Sequence, residues 1–307
     1  MRRLGVALLG PAAFVREHRV LLDTIPEAEA VGCWCGNATS PSESPLARLF
    51  SGPDDLLSCD AVQVVVVGAP VAERAYWCQR VLASGKALAA EVPLGDRVAD
   101  VERVVASSRN TPATLAVVDA SRCGAVAEGL AAARQTTGPI VFVNLDIQVP
   151  RMLLGRHADG VLLTAAAGYL ARIHRLVGEL DSIWAATRSL VRLCRNEDVA
   201  TAYLRAQNGV EGLVHVGGVN TLHHVRVSVI GESGALTWSD VLPVVHRQAW
   251  VNTYARLVAC AAEDTDANNT EDKLLLDDLL TGHRWVEWIQ RAARSNRELT
   301  WKEAQNG

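Results

Sequence analysis

The chain has 307 residues, of which 49% are hydrophobic and 21% charged, with a formal net charge of −4. That length suits two domains with cores of their own, and the composition excludes a disordered or fibrous chain. Slight acidity without any run of basic residues excludes the electrostatic footprint of nucleic-acid binding and of a polybasic membrane patch.

Lysine occurs only at Lys86, Lys273 and Lys302; the rest of the 30 basic residues are arginine, which stays protonated and makes a poor proton donor. Seven cysteines (33, 35, 59, 78, 123, 194 and 260) are scattered and odd in number, as expected of a reducing cytoplasm. Cys33-Trp34-Cys35 has no second pair at ligand spacing, so no metal site is expected. Arg2-Arg3 followed by an apolar stretch has a signal-peptide outline, but Leu4–Leu9 stopped by Gly10-Pro11 reads better as a buried first strand. No window is long and apolar enough for a transmembrane helix.

The first 120 or so residues alternate short apolar runs with helix-period segments, the pattern of a parallel sheet with crossover helices. Strands are predicted at 4–9, 29–35, 61–68, 86–90 and 114–118, with amphipathic helices over Arg74–Ser84 and Arg97–Ser107. The run Val64-Val65-Val66-Val67 is apolar on both faces and belongs at the sheet centre. After Arg122 come a helix (Gly124–Gln135), a strand (Ile140–Ile147) and a helical block at 158–177. Strands near 182–193, 200–207, 210–217, 223–230 and 234–238 follow, with hairpin turns at Asn208-Gly209 and Gly231-Glu232-Ser233-Gly234. A closing helix over Leu274–Arg294 aligns Leu276, Leu280, His283, Val286 and Gln290, with Trp285 and Trp288 as core residues beside them. The fold class is therefore α/β: a doubly wound, Rossmann-like parallel sheet over 1–121, then an α+β domain over 122–307 with a mostly antiparallel open-faced sheet.

Gly10-Pro11-Ala12-Ala13-Phe14-Val15 lies at the turn where a dinucleotide fold keeps Gly-x-Gly-x-x-Gly. Only Gly10 remains. Ala12 adds a methyl where backbone should approach phosphate, Val15 adds bulk, and Pro11 lacks an amide donor. Backbone amides at the helix N-terminus can still attract a phosphate, so a bound dinucleotide and a plain strand–helix turn both stay open. No acid ends the second strand; Cys35 takes that slot, which removes repulsion against a 2′-phosphate. Thr39, Ser40 and Arg48 are candidates to receive one, favouring NADP over NAD.

From Pro70 to Pro93 the spacing of Ala69-Pro70, Gly85-Lys86 and Glu91-Val92-Pro93 resembles the Gfo/Idh/MocA oxidoreductases, whose Glu-Lys-Pro signature carries a lysine that protonates the substrate oxygen. Val92 stands in that lysine's place, and Arg74 where the resemblance implies a histidine. Leu176-Val177-Gly178-Glu179 and Val229–Leu236 extend the likeness almost end to end. By the same count the family's Asp-x-x-x-His pair falls on Thr164 and Gly168, on a face completed by Arg172, and none of these can do acid–base work near neutrality.

The resemblance implies a cofactor crevice of Gly10, Ala12, Ala13, Phe14, Ala69, Pro70, Glu91 and Val92. Tyr169 can donate a proton or simply pack with Ile173 and Leu176; Asp119 and Arg122, after the fifth strand, are candidate substrate contacts. His215, His223 and His224 lie in sheet segments, the last two on opposite faces, and His157 and His174 read as surface or core residues. Two functions remain. One is an NADPH-dependent reductase of a small molecule, an imine in particular, since imine nitrogen protonates readily; the thiazolinyl imine reductase branch also lacks the lysine. The other is a repurposed or inactive member, whether a binding subunit or a redox-neutral enzyme, that binds no dinucleotide. By analogy either would be a homo-oligomer or pair with a paralogous subunit.

Overall fold

The structure, a computed structural model, describes residues 3–36, 48–150, 160–190, 196–263 and 270–305. Thr39, Ser40 and His157 lie outside them. The chain forms two compact units: Met1–Val118 with Ala249–Leu276, and Asp119–Gln248 with Asp277–Gly307.

In the first unit β1 (Leu4–Leu9), β2 (Ala28–Trp34), β3 (Val64–Val67), β4 (Ala87–Glu91) and β5 (Leu115–Val118) form a sheet in the order β2-β1-β3-β4-β5, and every pairing is parallel. All four valines of β3 are buried, as a strand covered on both faces requires. The crossovers contain α1 (Ala12–Leu22), α2 (Pro53–Ser58), α3 (Val71–Ala83) and α4 (Val98–Arg109). α1 buries Val15, His18, Leu21 and Leu22, a helical stripe turned inward. The chain leaves β1 toward β2 on one side and returns to β3 on the other, so the topological switch point lies at the carboxyl ends of β1 and β3.

The second unit begins with a 3₁₀ turn, Ala120–Arg122, and α5 (Gly124–Thr137), then β6 (Ile140–Pro150) and a π-helical turn, Leu162–Ala166, that runs into α6 (Ala167–Val177). β7 (Leu180–Arg188), β8 (Val199–Ala206), β9 (Glu211–Asn220), β10 (His224–Gly231) and β11 (Gly234–Val241) follow. Then come α7 (Leu242–Glu263) and α8 (Thr270–Ser295), whose residues Ala249–Leu276 belong to the first unit, and β12 (Leu299–Thr300) and α9 (Trp301–Gln305) of the second. The sheet order is β11-β10-β6-β9-β8-β7-β12, with β6–β9 its one parallel pairing. Alternate residues such as Val143, Leu145 and Ile147, or Val225, Val227 and Val229, are buried, which marks one covered face and one open face. Against the covered face Gly129 of α5 meets the ring of Trp238, leaving no room for a Cβ. The carboxylate of Asp240 accepts the amides of Ala125 (2.9 Å) and Val126 (2.8 Å), capping that helix.

Two expectations change. The strand predicted to reach 193 ends at Arg188, and Ser189 and Leu190 lie outside any strand. The 22-residue helix α7 has no counterpart among the predicted elements. Pro243 stands in its first turn, where a proline forfeits no hydrogen bond, and Trp250, Tyr254 and Leu257 bury one face. Trp285 and Trp288 of α8 are buried as expected. Among the described residues no helix is long and apolar enough to cross a membrane.

Candidate functional site

In the first unit Gly10, Ala12, Ala13, Phe14, Ala69, Pro70, Glu91 and Val92 all fall at the carboxyl ends of β1, β3 and β4 or in the turns that follow. Pro11 is the N-cap of α1, no side chain caps the helix, and its first turn holds no acid. The early amides are therefore available to an anion, assisted by the helix dipole. The Phe14 ring lies flat on Gly68, where a Cβ would overlap it; a Cβ on Gly10 would stand 3.0 Å from Phe14 Cδ1 and 3.1 Å from the Gly68 carbonyl carbon. The two turns approach at backbone distance, and a phenyl ring forms the floor between them.

The turn after β4 is held by Arg74. From α3, 8% exposed, its Nε donates to the Ala69 carbonyl (3.1 Å) and its Nη1 to those of Glu91 (3.2 Å) and Pro93 (2.7 Å). One guanidinium thus ties the β3 exit to both sides of Val92, whose peptide with Pro93 is cis. The Val92 amide donates to Val118 (3.1 Å), so its backbone continues the sheet. Arg74 is a structural tie to the turn, the role these three carbonyls give it.

Beside this turn stands an aromatic group whose members lie far apart in the chain. Trp250 Nε1 donates to Glu91 Oε1. His18 packs 4.0 Å from Phe14 and edge-on to Trp250 at 4.2 Å between ring centroids. Its Nδ1 shares a 2.8 Å hydrogen bond with the Tyr254 hydroxyl. Burial, and then the charge of Glu91, hold the Tyr254 phenol well above its ordinary range.

At the end of β2, Cys35 Sγ lies 3.6 Å from Cys33 Sγ. Burial first, then the Cys33 thiol, push Cys35 up to about 12, against a smaller downward pull from Arg16. Arg48 stacks its guanidinium 4.3 Å from the Phe50 ring centroid, and its carbonyl receives the Cys33 amide (3.0 Å). Arg16 is the cation whose charge reaches Cys35, while Arg48 joins the end of β2 through its backbone.

In the second unit Thr164 sits in the π-helical turn, its hydroxyl donating to the Gly160 carbonyl (3.1 Å). Gly168 lies one turn on, in α6. A Cβ placed on Gly168 would stand 2.6 Å from Asp119 Oδ1 and 3.5 Å from Ser121 Oγ. Asp119 accepts the Ser121 amide (2.9 Å) through Oδ1, and Ser121 Oγ donates to the Gly168 carbonyl (3.1 Å). Thr164, Gly168 and Arg172 themselves supply no acid or base, but the carboxyl of Asp119 lies against Gly168 from another element. Asp119 Oδ2 and the Tyr169 hydroxyl are both buried without a hydrogen-bond partner. Burial raises Asp119 despite Ser121, Arg122 and Arg172; it also drives Tyr169 far up, with Asp119 adding to the effect. His224 lies 3.4 Å from Asp146, His215 3.0 Å from Thr201, and His174 3.7 Å from Asp278, each engaged within the second unit.

A dinucleotide-type parallel sheet followed by a mixed open-faced sheet is the scaffold class these elements define. No protein-family model and no curated protein sequence matches the chain. Solved structures do. The WlbA dehydrogenase from Bordetella pertussis, in complex with NADH and UDP-GlcNAcA, superposes with a TM-score of 0.80 at 20% identity over 97% of this chain and 99% of that one. GenD2 from gentamicin A biosynthesis, in complex with NAD, gives 0.81 at 18% identity, over 98% and 97%. The myo-inositol 2-dehydrogenase from Lactobacillus plantarum gives 0.81 at 13%, over 97% and 99%. The chain has the fold of these dehydrogenases, the fold that the Gfo/Idh/MocA resemblance implies.

Proposed function

We propose that the chain is a divergent Gfo/Idh/MocA-type reductase that uses NADPH on a small molecule whose reacting group is an imine. The observation that carries this reading is the uncapped, acid-free N-terminus of α1 at the switch point, which fits a dinucleotide phosphate. WlbA and GenD2 were solved with NADH and NAD, which supports a nicotinamide dinucleotide in this fold. When bound, that group supplies hydride.

The chain's own residues do the rest. Ala12, Ala13 and Phe14 offer amides to phosphate, Arg74 fixes the turn that carries Glu91 and Val92, and Trp250 holds the Glu91 carboxylate. Val92 offers no proton, which a ketone reductase could hardly forgo, because general acid catalysis is worth about 10²- to 10⁴-fold. An imine, already basic at nitrogen, asks less of the protein.

The test is titration of the protein with NADPH and NADH, followed by nicotinamide fluorescence. Saturable NADPH binding in the micromolar range is expected; no binding at millimolar dinucleotide would sink the reductase reading. That outcome would favour the second reading, a repurposed member, for which the observation is Phe14, whose ring covers the Gly68 backbone in the crevice floor.

The preference for NADPH rests on Cys35, on the charge of Arg16 that reaches it, and on Arg48, whose backbone joins Cys33. Cys35→Asp places a carboxylate where the 2′-phosphate would lie. Like charges about 4 Å apart at an effective dielectric near 20 repel by about 4 kcal/mol before salt screening. NADPH affinity should fall at least about tenfold relative to NADH, read from paired fluorescence titrations.

A further inference from the structure

The two edges of the second unit's sheet are unlike. At one, β12 is only Leu299–Thr300, set against Ile183 and Ser182 of β7. At the other, β11 runs for 8 residues, and its register with β10 is unbroken. A long, regular edge strand is a template for another strand, and proteins ordinarily blunt one with lysine, proline or a bulge. β11 reads Gly-Ala-Leu-Thr-Trp-Ser-Asp-Val and has none of these. Its one charge, Asp240, is committed to α5, which it caps.

A single bond fixes the phase of the ladder: the Leu242 amide donates to the His223 carbonyl (3.3 Å). Hydrogen-bonded pairs recur at every second residue of an antiparallel ladder, so Asp240, Trp238 and Leu236 bond β10 opposite Val225, Val227 and Val229. Ala235, Thr237, Ser239 and Val241 therefore turn their N–H and C=O groups outward. All four are exposed, Val241 to 56%, and among the described residues no hydrogen bond takes up their outward backbone.

The helix above leaves the same edge open. Gly129 of α5 faces the Trp238 ring, while Arg134 reaches the Arg175 and Leu176 carbonyls of α6 (3.2 and 3.1 Å). Helical spacing puts Ala125, Ala132 and Thr136 on the Gly129 side, away from Arg134. These three are exposed, and their short side chains do not bar a close approach.

We infer that β11 is a docking strand for a second copy of this chain: two β11 strands pair antiparallel about a two-fold axis and join two sheets into one. The strand's own chemistry selects that partner. The register that uses every outward residue sets Thr237 beside Ser239 of the second copy, and Ala235 beside Val241. Hydroxyl meets hydroxyl, apolar meets apolar, and no like charges are opposed; the two-fold makes each contact twice. A single strand pair is narrow against the roughly 800 Å² per partner of a stable interface. A lone peptide would stop there, whereas a second copy brings its own α5 over the pairing. Strands about 4.8 Å apart and short side chains allow the two helices the approach, about 8–10 Å, of packed helices. The inference does not depend on the reductase reading.

The test is sedimentation of the purified chain together with residue-resolved amide exchange. Wild type should sediment with the mass of two chains, its Ala235, Thr237, Ser239 and Val241 amides protected. Dilution below the dissociation constant should release those four and leave the Leu236 and Trp238 amides, held by β10, protected. The double variant Thr237→Lys, Ser239→Lys opposes like charges across the axis and should weaken the dimer at least about 100-fold. Thr237→Glu with Ser239→Glu should do the same, and an equal mixture of the two doubles should form a dimer containing one of each. A double that failed to fold could form no such dimer, and the exchange pattern of wild type then decides by itself. A chain that stays monomeric up to about 100 μM, weaker than specific pairing requires, overturns the proposal. So does a dimer whose four outward β11 amides exchange freely or whose mass survives both doubles, because its contact then lies on another surface.

Discussion

Replacing Trp250 with alanine should lower the unfolding free energy by about 3–5 kcal/mol, the range for deleting a buried tryptophan. Its indole is 1% exposed and packs with His18, 4.2 Å away, and with Tyr254, 5.6 Å away. Loss of the ring opens a cavity under His18 and withdraws the donor from Glu91 Oε1. Trp250→Phe separates the two contributions, since a phenyl ring keeps much of the packing but has no N–H. It should recover more than half of the loss, leaving about 1–2 kcal/mol for the hydrogen bond to a charged acceptor and the residual volume. Urea denaturation at neutral pH measures both. The alanine variant should also weaken NADPH binding, because Glu91 loses the indole donor that holds its carboxylate beside Val92. A variant as stable as wild type would mean that α7 is not anchored through this residue.

The fold could be read because its signals are local. Parallel strands buried on both faces, such as Val64–Val67, leave continuous apolar runs, and hairpins such as β10–β11 announce themselves in turn residues around Gly231 and Gly234. The turn after β4 was legible for the same reason: Gly85, Glu91 and Pro93 keep their spacing across one short strand. Its contents were not. His18 and Tyr254 are 236 residues apart, and Trp250 reaches Glu91 from α7, which has no counterpart among the predicted elements. Nor does a sequence show that Asp119 fills space beside Gly168, since each taken alone is a plausible capping acid and an ordinary helical glycine. Reading Thr164, Gly168 and Arg172 as one face finds no acid on it. The acid beside Gly168 comes from the 3₁₀ turn, with Ser121 as the link. Local pattern records which elements form; it does not record which distant side chain supplies a chemical group that the local one has lost.

Arg74→Met is expected to be comparably severe. Methionine matches the length and apolar stem of arginine but withdraws every hydrogen bond from the carbonyls of Ala69, Glu91 and Pro93. A buried carbonyl left without a donor costs about 1–3 kcal/mol, and hydrogen bonds from a charged donor are worth about 1.5–3 each. Set against this is relief from burying a guanidinium for which no acid lies within ion-pairing distance among the described residues. A net loss of about 3–4 kcal/mol follows. Arg74→Lys is the informative control. The ammonium keeps the charge, but its donors radiate from one atom at the end of a flexible stem and cannot reach the β3 exit and both sides of Val92 as a planar fork does. Lysine should recover less than half of the loss. Were it to restore full stability, charge alone would hold the turn and the fork geometry would be irrelevant. Because the three carbonyls flank the segment Glu91-Val92-Pro93, the Met variant should also lose NADPH affinity in proportion to its destabilisation of that turn. Amide exchange at Val92, whose N–H pairs with the Val118 carbonyl at 3.1 Å, reports that loosening directly. It should accelerate in Arg74→Met while the amides of β1 keep their protection.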